Sequence, residues 1–250
     1  MCIFAIPLTY YKYVNLEILK KMINFTKNYN MKEYNVWFIA DPHINHKNIL
    51  RHQPNRIKVM GLKDNDDIDG HDKYIIDMWL EMTQRGDHVY VLGDFILSSR
   101  DSAVRILHKL KSKGCKIHLI VGNHDKATQK LDNLFESIDL IKVVDFKKSA
   151  HSFLEEDLPV VMCHYPMITW PRKAHGALHL FGHIHANSPW IDKGITEGDL
   201  MLNVGLDAEL AGYKLINLKD IYKWYQEKLN GMKPVDFIDK MTNKIPNFVR

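Results

Sequence analysis

The chain has 250 residues, 46% of them apolar and 26% charged, which suits one large globular domain with appendages. Its three cysteines lack paired spacing and no apolar run approaches the roughly 20 residues needed to span a bilayer, so we expect a cytoplasmic protein without disulfides or a membrane segment. The net charge of +4 resides in the ends, because residues 1–34 and 223–250 carry +3 each and leave the middle at −2.

Residues 1–34 are predicted to form an N-terminal appendage. An apolar stripe with lysines on the opposite side predicts a helix over 15–28 that docks on the domain. A basic amphipathic helix that binds a membrane or a partner is the alternative for this segment. No repeat or linker interrupts 35–222, so we predict one domain there, followed by a basic C-terminal tail over 223–250.

The first half of the domain alternates between strand and helix patterns. Apolar runs predict strands over 36–40, 88–92 and 116–121, and periodic patterns predict helices over 69–84, 101–113 and 128–135. Each predicted strand is followed directly by polar residues. Open α/β sheets bind their ligands at the carboxyl ends of strands, so we expect a site at these positions.

The second half has consecutive strands without helices between them. We predict strands over 141–146, 159–163, 177–181, 200–204 and 212–218, and then a helix from about Asp220. The chain is therefore predicted to be an α/β protein whose connections change after residue 138.

Side chains of metal-binding types stand at five of the predicted strand ends. They are Asp41 and His43, Asp94, Asn123 and His124, His164, and His183 and His185. Residues two apart on a strand point to the same side, so two imidazoles can enter one cavity. Each residue alone has an ordinary structural explanation, but the set predicts two divalent metal ions, for which imidazole and carboxylate ligands suit Mn, Fe, Zn, Ni or Co. Bound cations would also let a slightly acidic domain accept an anionic substrate.

The order of these motifs resembles the calcineurin-like metallophosphoesterases, whose signature is D-x-H, G-D, G-N-H, a lone H and G-H-x-H. The chain shows Asp41-Pro42-His43, Gly93-Asp94, Gly122-Asn123-His124-Asp125, His164 and Gly182-His183-Ile184-His185 in that order. The resemblance covers about residues 35–222 and is closest to the small prokaryotic and phage-type members.

The resemblance implies a four-layered α/β/β/α sandwich of two mixed β-sheets flanked by helices, with a dinuclear metal site at the strand ends. It places Asp41, His43 and His185 on one metal, Asn123, His164 and His183 on the other, and Asp94 between both. Mn²⁺ is the favoured metal, and Fe, Zn, Ni or Co are the alternatives.

The resemblance also implies a catalytic hypothesis. A hydroxide that bridges the metals would attack phosphorus, and His124 would protonate the leaving group. Many members carry a second Asp where this chain has Leu97, so Asp125 is our candidate for orienting His124. We expect substrate contacts from Asn123, His46 and Arg172, although a solvated loop explains Arg172 equally well.

The function implied is that of a metal-dependent phosphoric ester hydrolase, with a phosphodiesterase of small nucleotides or cyclic nucleotides favoured. A phosphomonoesterase or nucleotide pyrophosphatase would use the same ligands. A nuclease is less favoured, because the middle of the chain has no basic run interleaved with aromatic residues. A non-catalytic metal-binding scaffold of the same fold is the remaining alternative, and the oligomeric state is left open.

Overall fold

The computed structural model describes residues 34–185 and 199–231. The predicted N-terminal helix and the end of the predicted basic tail lie outside these described residues. The predicted domain boundaries therefore stay predictions, although the last described helix continues past residue 222 to Gly231.

Two β-sheets, five α-helices and short 3₁₀ turns make up the described residues. The strands are β1 (Val36–Ile39), β2 (His88–Val91), β3 (Lys116–Ile120), β4 (Ser137–Asp139), β5 (Ile141–Phe146), β6 (Leu158–Cys163), β7 (Leu178–Phe181), β8 (Met201–Asn203) and β9 (Ile216–Asn217). The helices are α1 (Ile49–His52), α2 (Asn55–Met60), α3 (Ile68–Met82), α4 (Arg100–Leu110) and α5 (Leu218–Gly231).

Both sheets are mixed. The first sheet has the order β4-β3-β2-β1-β9, in which β1 to β4 are parallel and β9 is antiparallel to β1. The second has the order β5-β6-β7-β8, in which β6 to β8 are parallel and β5 is antiparallel to β6. Antiparallel neighbours such as β5 and β6 need no long crossover. The parallel strands β6 and β7 do have a crossover, but it contains a 3₁₀ turn, Lys173–His175, in place of an α-helix.

Alternate residues of the first sheet face two different cores. Phe38 and Leu92 belong to a buried cluster that also contains Met162 and Leu180 of the second sheet, so the two sheets pack face to face. Successive side chains of a strand point to opposite faces, and Ile39 accordingly lies in the other core.

The other core, which contains Ile39, packs the first sheet against helices α3 and α4. Trp79 of α3 and Leu107 of α4 are fully buried against the sheet residues Ile39 and Val91. The predicted fold class, an α/β protein of two mixed sheets with flanking helices, is confirmed. On the outer face of the second sheet, the described residues that cover it form a loop anchored by the buried Trp170.

The helix predicted over 128–135 was wrong. The structure has two 3₁₀ turns there, Thr128–Lys130 and Asp132–Leu134, separated by Leu131 with φ −101 and ψ 44. Eight residues are too few to sustain a helix by themselves. Local tertiary contacts decide instead, including the hydroxyl of Thr128, which donates to the carbonyl of Ile96 at 2.9 Å.

The strand predicted over 212–218 shortens to the two residues of β9. Gly212 and Tyr213 have positive φ values of 52 and 65, which an extended strand does not contain. Helix α5 then begins at Leu218, close to the predicted start. The short elements α1, α2 and β4 were not predicted, because three to six residues carry little periodic signal.

Within the part of the chain that the structure describes, no helix has the length and apolar character needed to cross a membrane.

Candidate metal centre

The strand ends of both sheets converge at one edge of the sandwich. The amide of Asp41 donates to the carbonyl of Gly93 at 3.1 Å, and the amide of His43 donates to the carbonyl of Asp94 at 3.0 Å. From the second sheet, the amide of His183 donates to Oδ2 of Asp41 at 2.8 Å. These bonds hold the loops after β1, β2 and β7 side by side, as the carboxyl ends of parallel strands require.

The backbone is left-handed at five of the predicted ligand positions. The φ values are 54 for Asp41, 52 for His43, 53 for Asp94, 72 for His183 and 50 for His185. Such conformations cost about 1–3 kcal/mol each in a non-glycine residue and cluster at functional sites. The concentration of positive φ values at these strand ends supports a functional site there.

Two glycines are needed where the chains approach most closely. Gly93 has a φ of 89, and a Cβ there would lie 2.3 Å from Nδ1 of His164. A Cβ on Gly182 would lie 2.5 Å from Oδ2 of Asp41. At Gly182 the need is for space rather than for an unusual φ, because a positive φ occurs at Gly93 but not at Gly182.

Site A is defined by Asp41, His43 and His185, whose ligand atoms lie within 4.8 Å of one another. Oδ1 of Asp41 is 3.9 Å from Nε2 of His43. The ring of His43 stacks on that of His185 with a centroid distance of 5.2 Å. These are the three residues that the resemblance placed on one metal.

Site B is defined by Asp94, His164 and His183, again with ligand atoms within 4.8 Å. Nδ1 of His164 is 2.7 Å from the carbonyl of Leu92, so it donates there and turns Nε2 towards the site. Nε2 lies 3.2 Å from Oδ1 of Asn123, the fourth ligand that the resemblance placed on this metal.

Asp94 lies between the two sites. Its Oδ2 is 3.5 Å from Nε2 of His164 in site B and 3.7 Å from Nε2 of His43 in site A. Its Oδ1 accepts the amide of His124 at 2.9 Å. One carboxylate is thus positioned to contact cations in both sites.

The donor atoms fit divalent cations. Oδ1 of Asp41 and both ring nitrogens of His43 are buried without a hydrogen-bond partner among the described residues. Buried polar atoms without partners are costly, and a cation bound by imidazole nitrogens and carboxylate oxygens would satisfy them.

Burial and neighbouring charges shift the pKa values of three of the predicted ligands. Burial raises the pKa of Asp41 to about 6. Burial also lowers the pKa of His43 to about 2, which keeps its imidazole neutral and able to act as a ligand. Burial alone would raise the pKa of Asp94, but the hydrogen bond and charge of His164 outweigh it and lower that pKa to about 2.

Comparison with known proteins decides the family. The profile described as calcineurin-like phosphoesterase, Metallophos, matches residues 34–187. The chain belongs to the calcineurin-like phosphoesterase family. The resemblance seen in the sequence is thereby confirmed, and the family supports a metal-dependent hydrolase of phosphoesters.

The relatives of this calcineurin-like phosphoesterase include phage proteins. It is 30% identical over 91 residues to the Gene 66 protein of Mycobacterium phage L5, and the matched stretch covers 36% of this chain and 40% of that protein. It is 26% identical over 198 residues to the Gene 66 protein of Mycobacterium phage D29, covering 70% of this chain and 88% of that protein. A solved protein of unknown function from Aquifex aeolicus has the same fold, with a TM-score of 0.55, 23% identity, and coverage of 76% of this chain and 99% of the other.

Two histidines that are at least partly exposed lie beside sites A and B, and the side of the site where they stand is here called the mouth. The His124 side chain is 43% exposed, and its Nε2 is 4.0 Å from Oδ2 of Asp94. The ring of His46 is 5.9 Å from that of His124 and 5.2 Å from that of His43, measured between centroids. Both imidazoles therefore lie beside the two sites.

Asp125 occupies a different place from the one predicted. Its Oδ2 accepts the amides of Asp94 and Gly122 at 2.8 Å each, and its Oδ1 accepts the amide of Phe95 at 3.0 Å. Both oxygens are therefore bound to main-chain donors rather than to the imidazole of His124. Asp125 fixes the turns that present Asp94 and Asn123, because it bonds the backbone on either side.

Arg172 does not reach the metal centre through any contact among the described residues. Its guanidinium pairs with Asp145 of β5, and both side chains are partly exposed. The substrate contact predicted for Arg172 is therefore not supported, and the alternative of a solvated loop fits better.

Sequence reasoning gave no role to Asp207 and did not single out Arg56. Nδ1 of His185 is 2.9 Å from Oδ2 of Asp207, and Arg56 binds both oxygens of that carboxylate. Burial opposes the charged form of Asp207, but the hydrogen bonds from Arg56 and His185 hold its pKa well below the usual range. The position of Asp207 shortly after strand β8 was the only feature of the sequence that could have marked it as part of the site. Arg56 lies 151 residues away and has no such feature.

We predict that Gly182→Ala weakens metal binding at site A. The new methyl group would displace Asp41, and overpacking a close contact costs about 1–3 kcal/mol. Metal titration should show one weakened binding step and one that is nearly unchanged. Gly231→Ala is the control, because a Cβ there meets nothing within 4 Å. Unchanged titration in Gly182→Ala would contradict the close approach of Gly182 to Asp41.

Proposed function

We propose that the protein is a metal-dependent phosphodiesterase that hydrolyses a small nucleotide or a cyclic nucleotide, with Mn²⁺ as its favoured metal. The observation that carries the proposal is the pairing of sites A and B around the shared carboxylate of Asp94, with the exposed His124 beside them. When bound, two divalent ions would supply an activated water molecule and would neutralise charge on the phosphoryl oxygens.

The side chains around the centre suggest how the chain would handle substrate. Asp41, His43 and His185 would hold one ion and Asn123, His164 and His183 the other, with Asp94 contacting both. The exposed His124 would donate a proton to the leaving oxygen, and its neighbour His46 would contact the substrate.

The preference for a diester has a physical argument beside the family resemblance. A phosphomonoester carries up to two negative charges, whereas a diester carries one. Arg172 pairs with Asp145, and the buried Arg56 is committed to Asp207. Neither arginine offers a free guanidinium to a second phosphate charge, which supports the diester.

A substrate panel tests the proposal. Aryl phosphate mono- and diesters, cyclic nucleotides, dinucleotides, pyrophosphates and single-stranded oligonucleotides would each be assayed with Mn²⁺, Ni²⁺, Zn²⁺ and Mg²⁺. We expect kcat/KM for small diesters to exceed that for monoesters by about tenfold or more, equivalent to about 1.4 kcal/mol of transition-state binding. His108→Ala, which replaces an exposed histidine in the last turn of α4, should give the same substrate profile as the unmutated protein.

Each other outcome of the panel would replace the proposal. Faster hydrolysis of monoesters or pyrophosphates would identify a phosphomonoesterase or pyrophosphatase. Preference for long single strands would identify a nuclease. No hydrolysis with any metal, despite bound ions, would identify a metal-binding scaffold.

A further inference from the structure

A buried hydrogen-bond network contacts site A. Oδ2 of Asp207 is 2.9 Å from Nδ1 of His185. The same carboxylate is held in a two-pronged ion pair, with Nε of Arg56 2.8 Å from Oδ1 and Nη2 2.6 Å from Oδ2. The side chains of Arg56 and Asp207 are 0% and 2% exposed, so water does not weaken this pair.

Arg56 uses all five of its N–H donors. Besides the two bonds to Asp207, Nη2 donates to the carbonyl of Asp41 at 2.8 Å and Nη1 to the carbonyl of Pro42 at 3.1 Å. The fifth donor meets Nε2 of His71 at 2.9 Å. A fully buried guanidinium with every donor satisfied is a rigid anchor for the loop that carries Asp41 and His43.

The network continues beyond Arg56 to the end of the same loop. Because an arginine only donates, Nε2 of His71 must accept, and its Nδ1 then donates to Oδ1 of Asp72 at 2.9 Å. Both oxygens of Asp72 accept the amide of Asn45, at 3.0 and 2.9 Å. The loop from Asp41 to Asn45 is therefore fixed at both ends.

The carboxylate of Asp207 determines the tautomer of His185. A carboxylate at Nδ1 keeps the proton on that nitrogen, which leaves Nε2 with the free lone pair that a metal requires. We propose that Asp207 and Arg56 are positioning residues for site A, where they select the metal-binding tautomer of His185 and fix the main chain of Asp41. This inference rests on the proposed function, since it presumes that site A binds a metal ion.

Among the described residues, the direct contacts of Arg56 and Asp207 with the predicted ligands reach those of site A only. They reach His185 directly, and they reach Asp41 and His43 through the main chain of their loop. In site B, the corresponding ring nitrogen of His164 is held instead by the main-chain carbonyl of Leu92. The loss of Asp207 should therefore weaken one of the two metal ions and spare the other.

Asp207→Asn is the variant that tests the proposal. An asparagine keeps the shape but must face one of the surrounding donors with its own NH₂ group. Arg56 then loses its ion partner, and Nδ1 of His185 faces either the amide NH₂ or a neutral oxygen in place of a carboxylate. We expect metal affinity at site A to fall by about 10–100-fold, as for other partners of metal-binding histidines. Asp145→Asn, which removes the acidic partner of Arg172, is the matched control and should leave both binding steps unchanged.

A double-mutant cycle separates positioning from general destabilisation. Two-step titration with Mn²⁺ would be run on Asp207→Asn in three backgrounds: wild type, His183→Ala and His185→Ala. The effect should persist when site B is damaged by His183→Ala and should become smaller when His185 is already absent, because only the contact with the Asp41 loop is then left to lose. Equal weakening of both steps, or full additivity with His185→Ala, would overturn the proposal.

A measurement on the unmutated protein covers the case in which Asp207→Asn does not fold. In ¹⁵N-histidine-labelled protein loaded with Zn²⁺, the ring signals of His185, assigned by their loss in His185→Ala, should show a protonated Nδ1. A protonated Nε2 would refute the inference. If the unmutated protein bound no metal at all, the proposed function would fail instead, so the two failures are distinguishable.

Discussion

Asp94→Ala is expected to abolish binding of the metal pair and to lower kcat/KM by about 10³-fold or more. Oδ2 of Asp94 lies 3.5 Å from Nε2 of His164 and 3.7 Å from Nε2 of His43, so its carboxylate is the contact that the two sites share. The charge stabilisation that metal ions provide to a phosphoryl transition state amounts to several kcal/mol, and each 1.36 kcal/mol corresponds to a factor of ten.

Elemental analysis after desalting measures this effect directly. Asp94→Asn serves as the conservative partner, because an amide oxygen can still accept the main-chain N–H of His124 while the charge is lost. It should retain the fold and bind metal more weakly than the unmutated protein. Two metal ions per chain in Asp94→Ala would rule out the shared role of this carboxylate.

The second large effect is expected from His124→Ala. The imidazole is 43% exposed at the mouth, and only its main-chain amide binds Oδ1 of Asp94. Replacing the side chain therefore removes the proton donor and leaves Asp94 in place. Turnover should fall by about 10²–10⁴-fold on substrates with poor leaving groups, the usual contribution of a positioned acid.

The leaving group separates this role from simple damage. An activated aryl diester needs little protonation, so its turnover in His124→Ala should fall much less than that of an alkyl or nucleoside ester. His46→Ala, the neighbouring imidazole at the mouth, is the matched control and should affect both substrates alike. Equal losses on both substrates in His124→Ala would remove the general-acid role.

The positions of the metal-binding side chains could be predicted because they rest on local signals. A buried apolar run followed by polar residues marks the end of a strand, and parallel strands bring their ends to one edge. The five strand ends that carry Asp41, Asp94, Asn123, His164 and His183 do meet at one edge of the sandwich.

The surroundings of the site could not be predicted in the same way, because they depend on contacts between distant parts of the chain. Arg56 and Asp207 are 151 residues apart, and neither has a periodic neighbourhood that marks it. Asp125 was predicted to contact the adjacent His124, but the backbone amides of the β2 loop lie closer to its carboxylate. Sequence adjacency suggested the wrong partner, and sheet packing decided the actual one.

The short elements were predicted poorly for a related reason. The two residues of β9 and the 3₁₀ turns after residue 127 are stabilised by the sheet and loops around them rather than by their own propensities. The positive φ of Tyr213 excludes the first residues of the predicted strand, which composition alone would begin at residue 212.

Anomalous diffraction from crystals grown with Mn²⁺ tests the central claim most directly. The account predicts two anomalous peaks per chain, one among Asp41, His43 and His185 and the other among Asn123, His164 and His183, with Asp94 contacting both. A single peak, or peaks away from these side chains, would contradict it.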